Sequence, residues 1–198
     1  KNPVSGWIGV ITIREVKIST SGGRSIGNDF LNARLGCICG AKWEDNDLSK
    51  TVNYGYTGVA GWSISLYVKD GANWKLIACT NTNAEGKYCF TELNPYLCYR
   101  VDELNPVTGW VGVITYHDNV MIKSSGGRVC GIDFLNARTG CICGHKYLDN
   151  DFNGVYDPCL DRPLSVWTIK LLVWQNGACV CLSQKVTDCC GIYGFCGL

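Results

Sequence analysis

The 198-residue sequence lacks several features by which common protein classes are recognised. It has no charge excess, since 18 lysines and arginines are mixed with 17 aspartates and glutamates, and this balance argues against a nucleic-acid-binding protein. It has no apolar run of about 20 residues, the length that a membrane-spanning helix needs. It has only two histidines, no Gly-x-Ser-x-Gly elbow and no phosphate-binding loop, so an enzyme is not expected.

Two short motifs are also missing. No Asn-x-Ser/Thr sequon occurs, so N-linked glycans are not expected, while glycosylation of serine or threonine stays open. No Cys-x-x-Cys pair occurs, which removes the usual spacing of zinc ribbons and thioredoxins.

Cysteine, by contrast, is abundant. The chain has 14 cysteines, and such a density is typical of disulfide-bonded proteins in oxidising, extracellular compartments. A metal–thiolate role for some of them is the alternative. Because the closing part of the first repeat holds Cys98 and Cys130, both without a counterpart near the N-terminus, we suggest that these two pair. The predicted disulfide cysteines are Cys37, Cys39, Cys79, Cys89, Cys98, Cys130, Cys141, Cys143, Cys159, Cys179, Cys181, Cys189, Cys190 and Cys196.

A tandem repeat organises the chain. Residues 6–12 (GWIGVIT) return as residues 109–115 (GWVGVIT), and residues 62–66 (WSISL) return as residues 167–171 (WTIKL). The offset between the copies is 103 residues for the first pair and 105 for the second. A period of this length indicates two small domains rather than one.

The repeat units do not begin where the chain begins. We assign residues 36–138 to a first module and residues 139–198 to a second, incomplete module. Residues 1–35 repeat the closing part of the first module, which the second module lacks. Neither end of the chain contains a counterpart of residues 96–103.

This arrangement predicts that subunits complete one another. We expect residues 1–35 of one subunit to add a strand to module 2 of the next, because an unclosed sheet exposes edges that invite pairing. A contact between two different surfaces generates a filament unless rotation closes a ring. Two alternatives stay open: the sequence is a window of a longer tandem array, or residues 1–35 close the second module of their own chain.

Apolar residues near the N-terminus fit a donor strand. We expect Trp7 to fill the place that Trp110 has in module 1, because the two lie in matching segments. The predicted donor residues are Trp7, Ile8, Val10, Ile11 and Ile13.

The pattern of apolar residues predicts an all-β fold. Apolar and polar residues alternate in short runs, as in residues 64–68, and Gly, Asn and Asp cluster between the runs, as at Asp70-Gly71. No stretch keeps a helical period. We expect about seven short strands per module in a two-sheet sandwich, with Trp62 and Trp167 in matching core positions.

One sequence string resembles a known family. Residues 82–95 (TNAEGKYCFTELNP) and residues 99–103 (YRVDE) are similar to the SdrD B-like domain, a prealbumin-like (Cna-B-like) β-sandwich of bacterial surface proteins. The resemblance covers nearly the whole chain in two copies, although typical members have few cysteines. It implies two tandem Ig-like sandwiches, a role in stalks, adhesins or fibres, and often bound calcium.

Two acidic loops fit the calcium expectation to different degrees. Oxygen side chains in residues 149–157 occupy positions 1, 3, 5 and 9 of a loop with Gly154 at position 6, like the front half of an EF-hand. The predicted ligands there are Asp149, Asp151, Asn153, Asp157 and Asp161. The matching loop of module 1 keeps Asp45 and Asp47, but Lys50 opposes a cation. A solvated turn is the alternative in both loops.

Fibre-forming members of the family also carry Lys–Asn isopeptide cross-links. The resemblance therefore allows a Lys42–Asn136 pair, and a pair of Lys146 with Asn32 of another subunit. Such a bond needs a buried acid, which the sequence does not identify in both modules. The alternative is that these are exposed lysines and turn-side asparagines.

The sequence thus predicts a structural subunit of a secreted, cell-surface filament that binds identical subunits head to tail. Calcium is the one cofactor expected, and surface glycans are a further partner. The alternative is an adhesin or a stalk fragment that binds protein or sugar, with Trp43, Trp74 and Trp174 as stacking platforms.

Overall fold

The computed structural model describes residues 4–53, 55–104 and 107–198. This part of the chain contains seventeen β-strands and no helix, which confirms the predicted all-β class. By its contacts the chain divides into two units, Lys1–Arg138 and Thr139–Leu198. None of the described segments is a helix long and apolar enough to cross a lipid bilayer.

Eleven strands belong to the first unit. They are β1 (Trp7–Ile11), β2 (Leu31–Arg34), β3 (Gly36–Glu44), β4 (Ser63–Asp70), β5 (Asn73–Asn81), β6 (Lys87–Leu93), β7 (Cys98–Glu103), β8 (Trp110–Ile114), β9 (Tyr116–Met121), β10 (Arg128–Val129) and β11 (Phe134–Arg138).

Two sheets form the sandwich of this unit. One is antiparallel with the order β5-β4-β7-β9. In the other, β3 is central: it pairs antiparallel with β6 and parallel with β10 and then β11, while β8 lies outside β11. The closing part of the module, after residue 106, therefore contributes strands to both sheets.

The core lies between these two sheets. Alternate residues of β4 and β7 point inward, so that Ile64, Leu66 and Val101 are fully buried, and Phe134 of β11 reaches them from the other sheet. Trp62 is buried as predicted, and its ring packs edge-on against Trp110 with the centroids 5.4 Å apart. Burying side chains of this size contributes about 1.5–3 kcal/mol each.

The N-terminal residues form a separate hairpin within the first unit. Strands β1 and β2 pair antiparallel, with Trp7 opposite Arg34 and Gly9 opposite Asn32. The hairpin leads directly into β3, and the backbone N–H of Gly126 donates to the carbonyl of Arg34 at 3.0 Å.

Six strands belong to the second unit. They are β12 (Cys141–His145), β13 (Tyr147–Leu148), β14 (Arg162–Pro163), β15 (Thr168–Gln175), β16 (Ala178–Val186) and β17 (Ile192–Cys196). They form three antiparallel pairs, β12-β17, β13-β14 and β15-β16.

The second unit leaves the matching core positions open. Ile142 is 50% exposed, whereas its counterpart Ile38 is 0% exposed. Trp167 is 50% exposed, whereas Trp62 is 6% exposed. The prediction that Trp167 is a core residue is therefore wrong for the unit as it stands, since the strands that cover Trp62 have no counterpart among the described residues of this unit.

Two disulfides are formed. Cys39–Cys89 joins β3 to β6, and Cys141–Cys196 joins β12 to β17. The suggested Cys98–Cys130 bond is not formed in the described residues: both cysteines are free, Cys98 in β7 of one sheet and Cys130 after β10 of the other. The cysteines without a disulfide in the described residues are Cys37, Cys79, Cys98, Cys130, Cys143, Cys159, Cys179, Cys181, Cys189 and Cys190.

Candidate functional site

A buried ion pair crosses the core of the first unit. Lys42 points inward from β3, and its Nζ lies 2.6 Å from Oε2 of Glu103 at the end of β7. Both side chains are fully buried, and the Lys42 amine also lies 4.8 Å from the ring centroid of Trp62. A pair of this kind costs desolvation energy, so its presence in an apolar core points to a role beyond stability.

A buried carboxamide lies on the neighbouring strand. Asn136 of β11 is 0% exposed, and neither its side-chain oxygen nor its nitrogen has a hydrogen-bond partner among the described residues. In the parallel register, Phe134 lies opposite Lys42 and Asn136 opposite Glu44, so alternation puts Asn136 and Lys42 on the same face. An unpaired buried amide costs about 1–3 kcal/mol.

The electrostatics of this group favour a reactive amine. Burial lowers the pKa of Lys42 from 10.5 to about 8, although the hydrogen bond and charge of Glu103 oppose the shift. The neutral, nucleophilic form of the amine is therefore accessible near neutral pH. A neutral amine, a carboxamide and an acid that can move protons are the groups needed to join lysine and asparagine by an amide bond with release of ammonia.

Sequence reasoning named Lys42 and Asn136 but not the acid. A signal for it was present, since Tyr99, Val101 and Glu103 alternate along one strand, and the first two are apolar residues of the core. Strand periodicity alone thus places the Glu103 carboxylate on the inward face.

The second unit reproduces the lysine half of this group. Lys146 aligns with Lys42, and its Nζ lies 5.5 Å from the ring centroid of Trp167, the counterpart of Trp62. The backbone around the two lysines also matches: each N–H donates at 2.8 Å to a glycine carbonyl, of Gly86 for Lys42 and of Gly191 for Lys146.

A threonine hydroxyl accepts a hydrogen bond from the backbone of the tryptophan in both units. The backbone N–H of Trp62 donates to Thr82 Oγ1 at 2.9 Å, and that of Trp167 donates to Thr187 Oγ1 at 3.0 Å. Both hydroxyls in turn donate to a carbonyl in the loop after the lysine strand. The lysine half is therefore built from local contacts that do not need the closing part of the module.

The N-terminal hairpin reproduces the asparagine half. In β1 and β2, Asn32 lies opposite Gly9, as Asn136 lies opposite Gly112 in β8 and β11. Arg34 lies over the Trp7 ring at 5.1 Å, matching the 4.9 Å contact of the equivalent arginine and tryptophan in the closing hairpin. Unlike Asn136, Asn32 is exposed.

The predicted donor residues lie in a different segment from the strand that matches β11. Four of the predicted residues, Trp7, Ile8, Val10 and Ile11, lie in β1, and Ile13 lies beyond it. The counterpart of β1 is β8, the outer strand of its sheet, whereas β11 borders β3. The strand that matches β11 is β2, so Leu31–Arg34 is the segment equivalent to the one that pairs with the lysine strand.

Three of the five predicted calcium ligands of the second unit converge. Carboxylate oxygens of Asp149, Asp151 and Asp161 lie within 4.8 Å of one another. The backbone N–H of Gly154 donates to Asp149 at 2.9 Å and lowers the pKa of that carboxyl. Three hard oxygen ligands suit calcium.

The other two predicted ligands are used within the loop. Oδ1 of Asn153 accepts from the backbone N–H of Val155 at 2.6 Å, and Oδ1 of Asp157 accepts from that of Cys159 at 2.7 Å. Asp157 is not among the converging carboxylates, while Asn153 contacts them, since its Nδ2 donates to Oδ2 of Asp151 at 2.6 Å.

A tyrosine takes the place of the third carboxylate in the first unit. Counting back from the matching tryptophans, Tyr56 aligns with Asp161, and its hydroxyl donates to Asp47 and, at 3.2 Å, to Asp45. The hydroxyl of Tyr56 lowers the pKa of Asp47. The backbone N–H of Lys50 also donates to Asp45, at 3.0 Å. Protein donors thus occupy the oxygens that the sequence assigned to a cation.

The tryptophans considered as sugar platforms differ in exposure. Trp174, in the β15–β16 hairpin, is 72% exposed, whereas Trp74 and Trp43 are half-buried. The Trp74 ring is further covered by the amine of Lys69 at 6.0 Å.

Among the comparisons with known proteins, only the search of solved structures finds similar chains. No family model matches the sequence, and no curated protein matches it. The Bacillus anthracis TIE protein is 18% identical with a TM-score of 0.45, over 82% of this chain and 26% of that chain. The shaft pilin SpaA from Lactobacillus rhamnosus GG is 13% identical with a TM-score of 0.42, over 82% and 83%. A streptococcal ancillary pilin is 14% identical with a TM-score of 0.44, over 81% and 49%. The chain thus spans about a quarter of the TIE protein chain that it matches.

Proposed function

We propose that this protein is a structural subunit of an extracellular filament in which subunits join head to tail. The observation that carries the proposal is a match between two exposed surfaces of one chain. The strand pair β1–β2 has the sequence and register of the strand pair β8–β11, which lies in the closing part of the first unit. The second unit exposes the positions that such a hairpin covers in the first unit.

The donor surface is the apolar side of the N-terminal hairpin. Phe30 is 64% exposed and Leu31 is 51% exposed, whereas their counterparts Phe134 and Leu135 are both 0% exposed. Trp7 is the counterpart of Trp110, which packs on the core tryptophan of the first unit. The hairpin therefore carries side chains suited to a core that it does not itself provide.

The acceptor surface is the open face of the second unit. Using the register of the first unit, Phe30 of one subunit lies opposite Lys146 of the next, and Leu31 lies opposite Tyr147. Trp7 then packs on Trp167. The joint thus repeats, between two chains, the pairing by which β11 completes the first unit.

The energy of this joint is estimated from the side chains that it buries. Five large apolar residues, Trp7, Phe30, Leu31, Ile142 and Trp167, are already about half-buried. Completing their burial therefore contributes about half of the value for a fully exposed side chain, or roughly 4–8 kcal/mol together. Association costs about 4–15 kcal/mol, so apolar burial offsets part of this cost. Main-chain hydrogen bonds along the added strand then supply affinity and register.

Head-to-tail growth follows from the difference between the two surfaces. A hairpin on one subunit and an open face on the next form a heterologous contact, which leaves a free hairpin and a free face at the two ends. Each added subunit presents the same pair again. The product is a filament outside the cell, where the disulfides Cys39–Cys89 and Cys141–Cys196 are stable.

Substitution of Phe30 tests this function. Phe30→Asp places a charge where the joint buries an aromatic ring, and the matched control is Ile26→Asp. Ile26 is 77% exposed, but its counterpart Cys130 stays exposed in the completed first unit. Negative-stain electron microscopy should show filaments from the wild type and from Ile26→Asp, and none from Phe30→Asp.

The outcome also separates the two ways in which the hairpin could be used. Filaments of normal length from Phe30→Asp would refute the proposed joint. Monomers from the wild type whose Phe30 is protected from solvent would show that the hairpin closes the second unit of its own chain.

We infer two further features of the subunit. The Lys42–Glu103–Asn136 group favours an internal amide bond between Lys42 and Asn136, which ties β3 to β11. The convergence of Asp149, Asp151 and Asp161 favours calcium binding, which would order the loop of the second unit.

A glycan-binding adhesin is the second candidate function. The observation in its favour is the exposed ring of Trp174, because aromatic faces stack on sugars. Monomers from both the wild type and Phe30→Asp, with Phe30 exposed in each, would favour this function over the filament.

A further inference from the structure

We propose that Cys39 exchanges its disulfide partner between Cys89 of β6 and Cys130 in the closing part of the first unit. In the structure the bond is Cys39–Cys89, and Cys130 is a free, exposed thiol. The exchange moves the covalent link of β3 from β6 to the segment that closes the sandwich after residue 106. The moved bond is a latch that holds this segment on β3.

The three sulfurs lie on the outer side of three neighbouring strands. β3 lies between β6 and β10. Ile38 of β3 is fully buried in the core, and its partner in β10, Val129, also packs against the core. The residue that follows each of them points the other way, because side chains alternate along a strand. These following residues are Cys39 and Cys130, so both lie on the outer side.

Cys39 has a cysteine on each side. Cys89 lies opposite it in the antiparallel register with β6, and the register of β10 places Cys130 level with it on the other side. Cys39 and Cys130 line one cavity of about 240 Å³. The backbone N–H of Ile132 donates to the Cys39 carbonyl at 3.4 Å, which keeps this segment against β3. Neighbouring strands lie about 4.8 Å apart, a separation that a disulfide spans.

An arginine holds the Cys130 thiol on this side of the sheet. The Nε–H of Arg128 donates to Cys130 Sγ at 3.2 Å, and the Arg128 side chain lines the same cavity. Lys87 also lines it, together with one acid, Asp133. Two cationic side chains therefore face the thiolate through which exchange proceeds.

The reaction needs no oxidant and no reductant. The Cys130 thiolate attacks Sγ of Cys39, and a new sulfur–sulfur bond forms. The bond between Cys39 and Cys89 breaks, and Cys89 leaves with the electron pair. Cys89 then takes up one proton, equal to the proton that Cys130 lost. One disulfide and one thiol are present before and after the exchange.

Cys37 is the competing thiol, since its sulfur lies within 4.8 Å of both sulfurs of the disulfide. It lies two positions from Cys39 on the same strand, where the Cα atoms are about 6.6 Å apart. This distance is near the upper end of the range that disulfides span. A Cys37–Cys39 bond would also join no two strands, so Cys130 is the better placed partner.

The second unit lacks this choice of partner. Cys143 is the counterpart of Cys39, but Gly194 lies opposite it, so the neighbouring strand offers no sulfur there. In the N-terminal segment, the counterpart of Cys130 is Ile26. The latch is therefore specific to the first unit and to the closing part of its own chain.

The latch distinguishes two closing segments that otherwise match. This consequence rests on the proposed head-to-tail joint, in which β1–β2 of another subunit has the register of β8–β11. Such a hairpin competes for β3 of the first unit, but Ile26 in the place of Cys130 forms no bond. A latched first unit thus keeps its own closing part, and the incoming hairpin is left for the second unit.

The test is the disulfide content of the full chain. Native protein is held at about pH 8, where a fraction of thiols is ionised, without added oxidant or reductant. Free thiols are then alkylated, and the protein is digested without reduction and analysed by mass spectrometry. Both linked peptides, Cys39–Cys89 and Cys39–Cys130, should be present. The fraction alkylated at Cys89 should equal the fraction of the Cys39–Cys130 peptide.

Variants identify the partners. Cys130→Ser should contain the Cys39–Cys89 bond alone, and Cys89→Ser should contain the Cys39–Cys130 bond. The control Cys98→Ser removes another free cysteine of the first unit and should keep both linkages. Cys37→Ser should also keep both, because Cys130 attacks directly.

The contrary outcomes are distinct. A wild type with Cys39–Cys89 alone, and free thiols at both Cys39 and Cys130 in Cys89→Ser, would overturn the exchange. A peptide that joins Cys130 to Cys98, or loss of the second linkage in Cys37→Ser, would also overturn it. Absence of filaments from a wild type that contains both linkages would overturn the proposed joint while the exchange stands.

Discussion

Replacement of Glu103 by glutamine should disable the buried group of the first unit. The substitution keeps the shape of the side chain, but it removes the negative charge 2.6 Å from the Lys42 amine and the acid that moves protons. Because the cross-link then does not form, Lys42 keeps a buried ammonium that has no counter-charge. Breaking one partner of a buried pair costs about 3–5 kcal/mol.

Two measurements follow from this change. The intact mass of the wild type should be lower than the sequence mass by one ammonia for the internal Lys42–Asn136 bond, and the mass of Glu103→Gln should not. Thermal unfolding of the first unit should shift down by roughly 10–25 °C, the shift expected for about 3–5 kcal/mol in a domain of this size. Loss of the cross-link adds to this shift, because an amide bond between β3 and β11 restricts the unfolded chain.

A matched control separates this effect from a general loss of charge. Glu92→Gln makes the same change on β6 at an exposed position, and surface substitutions shift stability by about 0.5 kcal/mol or less. If Glu103→Gln lost one ammonia and unfolded at the wild-type temperature, the assignment of Glu103 as the acid would be wrong.

Two further predictions concern pH and calcium. In Asn136→Ala, which leaves Lys42 free, stability should rise between pH 8 and 10.5. The pKa of Lys42 is about 8 in the folded chain and 10.5 in the unfolded chain, so the unfolded chain binds more protons between these two values. Denaturant unfolding measured across this pH range should show the free energy of unfolding increasing with pH. The control, Asn136→Ala/Lys42→Met, should lack this increase. Calcium should raise the unfolding temperature of the wild type and of the control variant Asp157→Asn, but not that of Asp161→Asn, and a chelator should reverse the increase. Equal shifts in the two variants would count against calcium binding by the carboxylate cluster.

Much of the fold could be predicted because strand patterning is local. Alternation along β4 and β7 placed Ile64, Leu66 and Val101 on one face, and the turn residues between the strands marked their ends. Glu103 follows the same alternation, but it was not among the predicted residues. The repeat identified Lys42 and Asn136 as counterparts of Lys146 and Asn32.

Pairing between distant strands could not be predicted in the same way. The Cys98–Cys130 suggestion followed from counting cysteines per repeat, but counting does not show which cysteines lie close enough to bond, and the structure leaves both thiols free. The predicted donor residues run from Trp7 to Ile13, because their side chains are apolar. In the order β3-β11-β8, the strand that borders the lysine strand is β11, whose counterpart is β2.

The calcium loops show a similar division. Spacing of acids in residues 149–157 predicted a site, and three carboxylates do converge. The loop of the first unit has two matching acids, yet the hydroxyl of Tyr56 reaches both of them from eleven and nine residues away. The residue types identified the acids, but the fold of the loop decides which N–H and O–H groups donate hydrogen bonds to their carboxylates.

The sequence by itself determined the all-β class, the tandem repeat and the matching lysines and asparagines of the two modules, because these depend on residue type and on recurring patterns along the chain. The tertiary structure decided which strands are neighbours, and with that the acid beside Lys42, the disulfide partners and the strand that completes a module. The physical reason is that strand order and burial depend on contacts between residues far apart in the chain. A module without its closing strands leaves exposed the same side chains that a complete module buries.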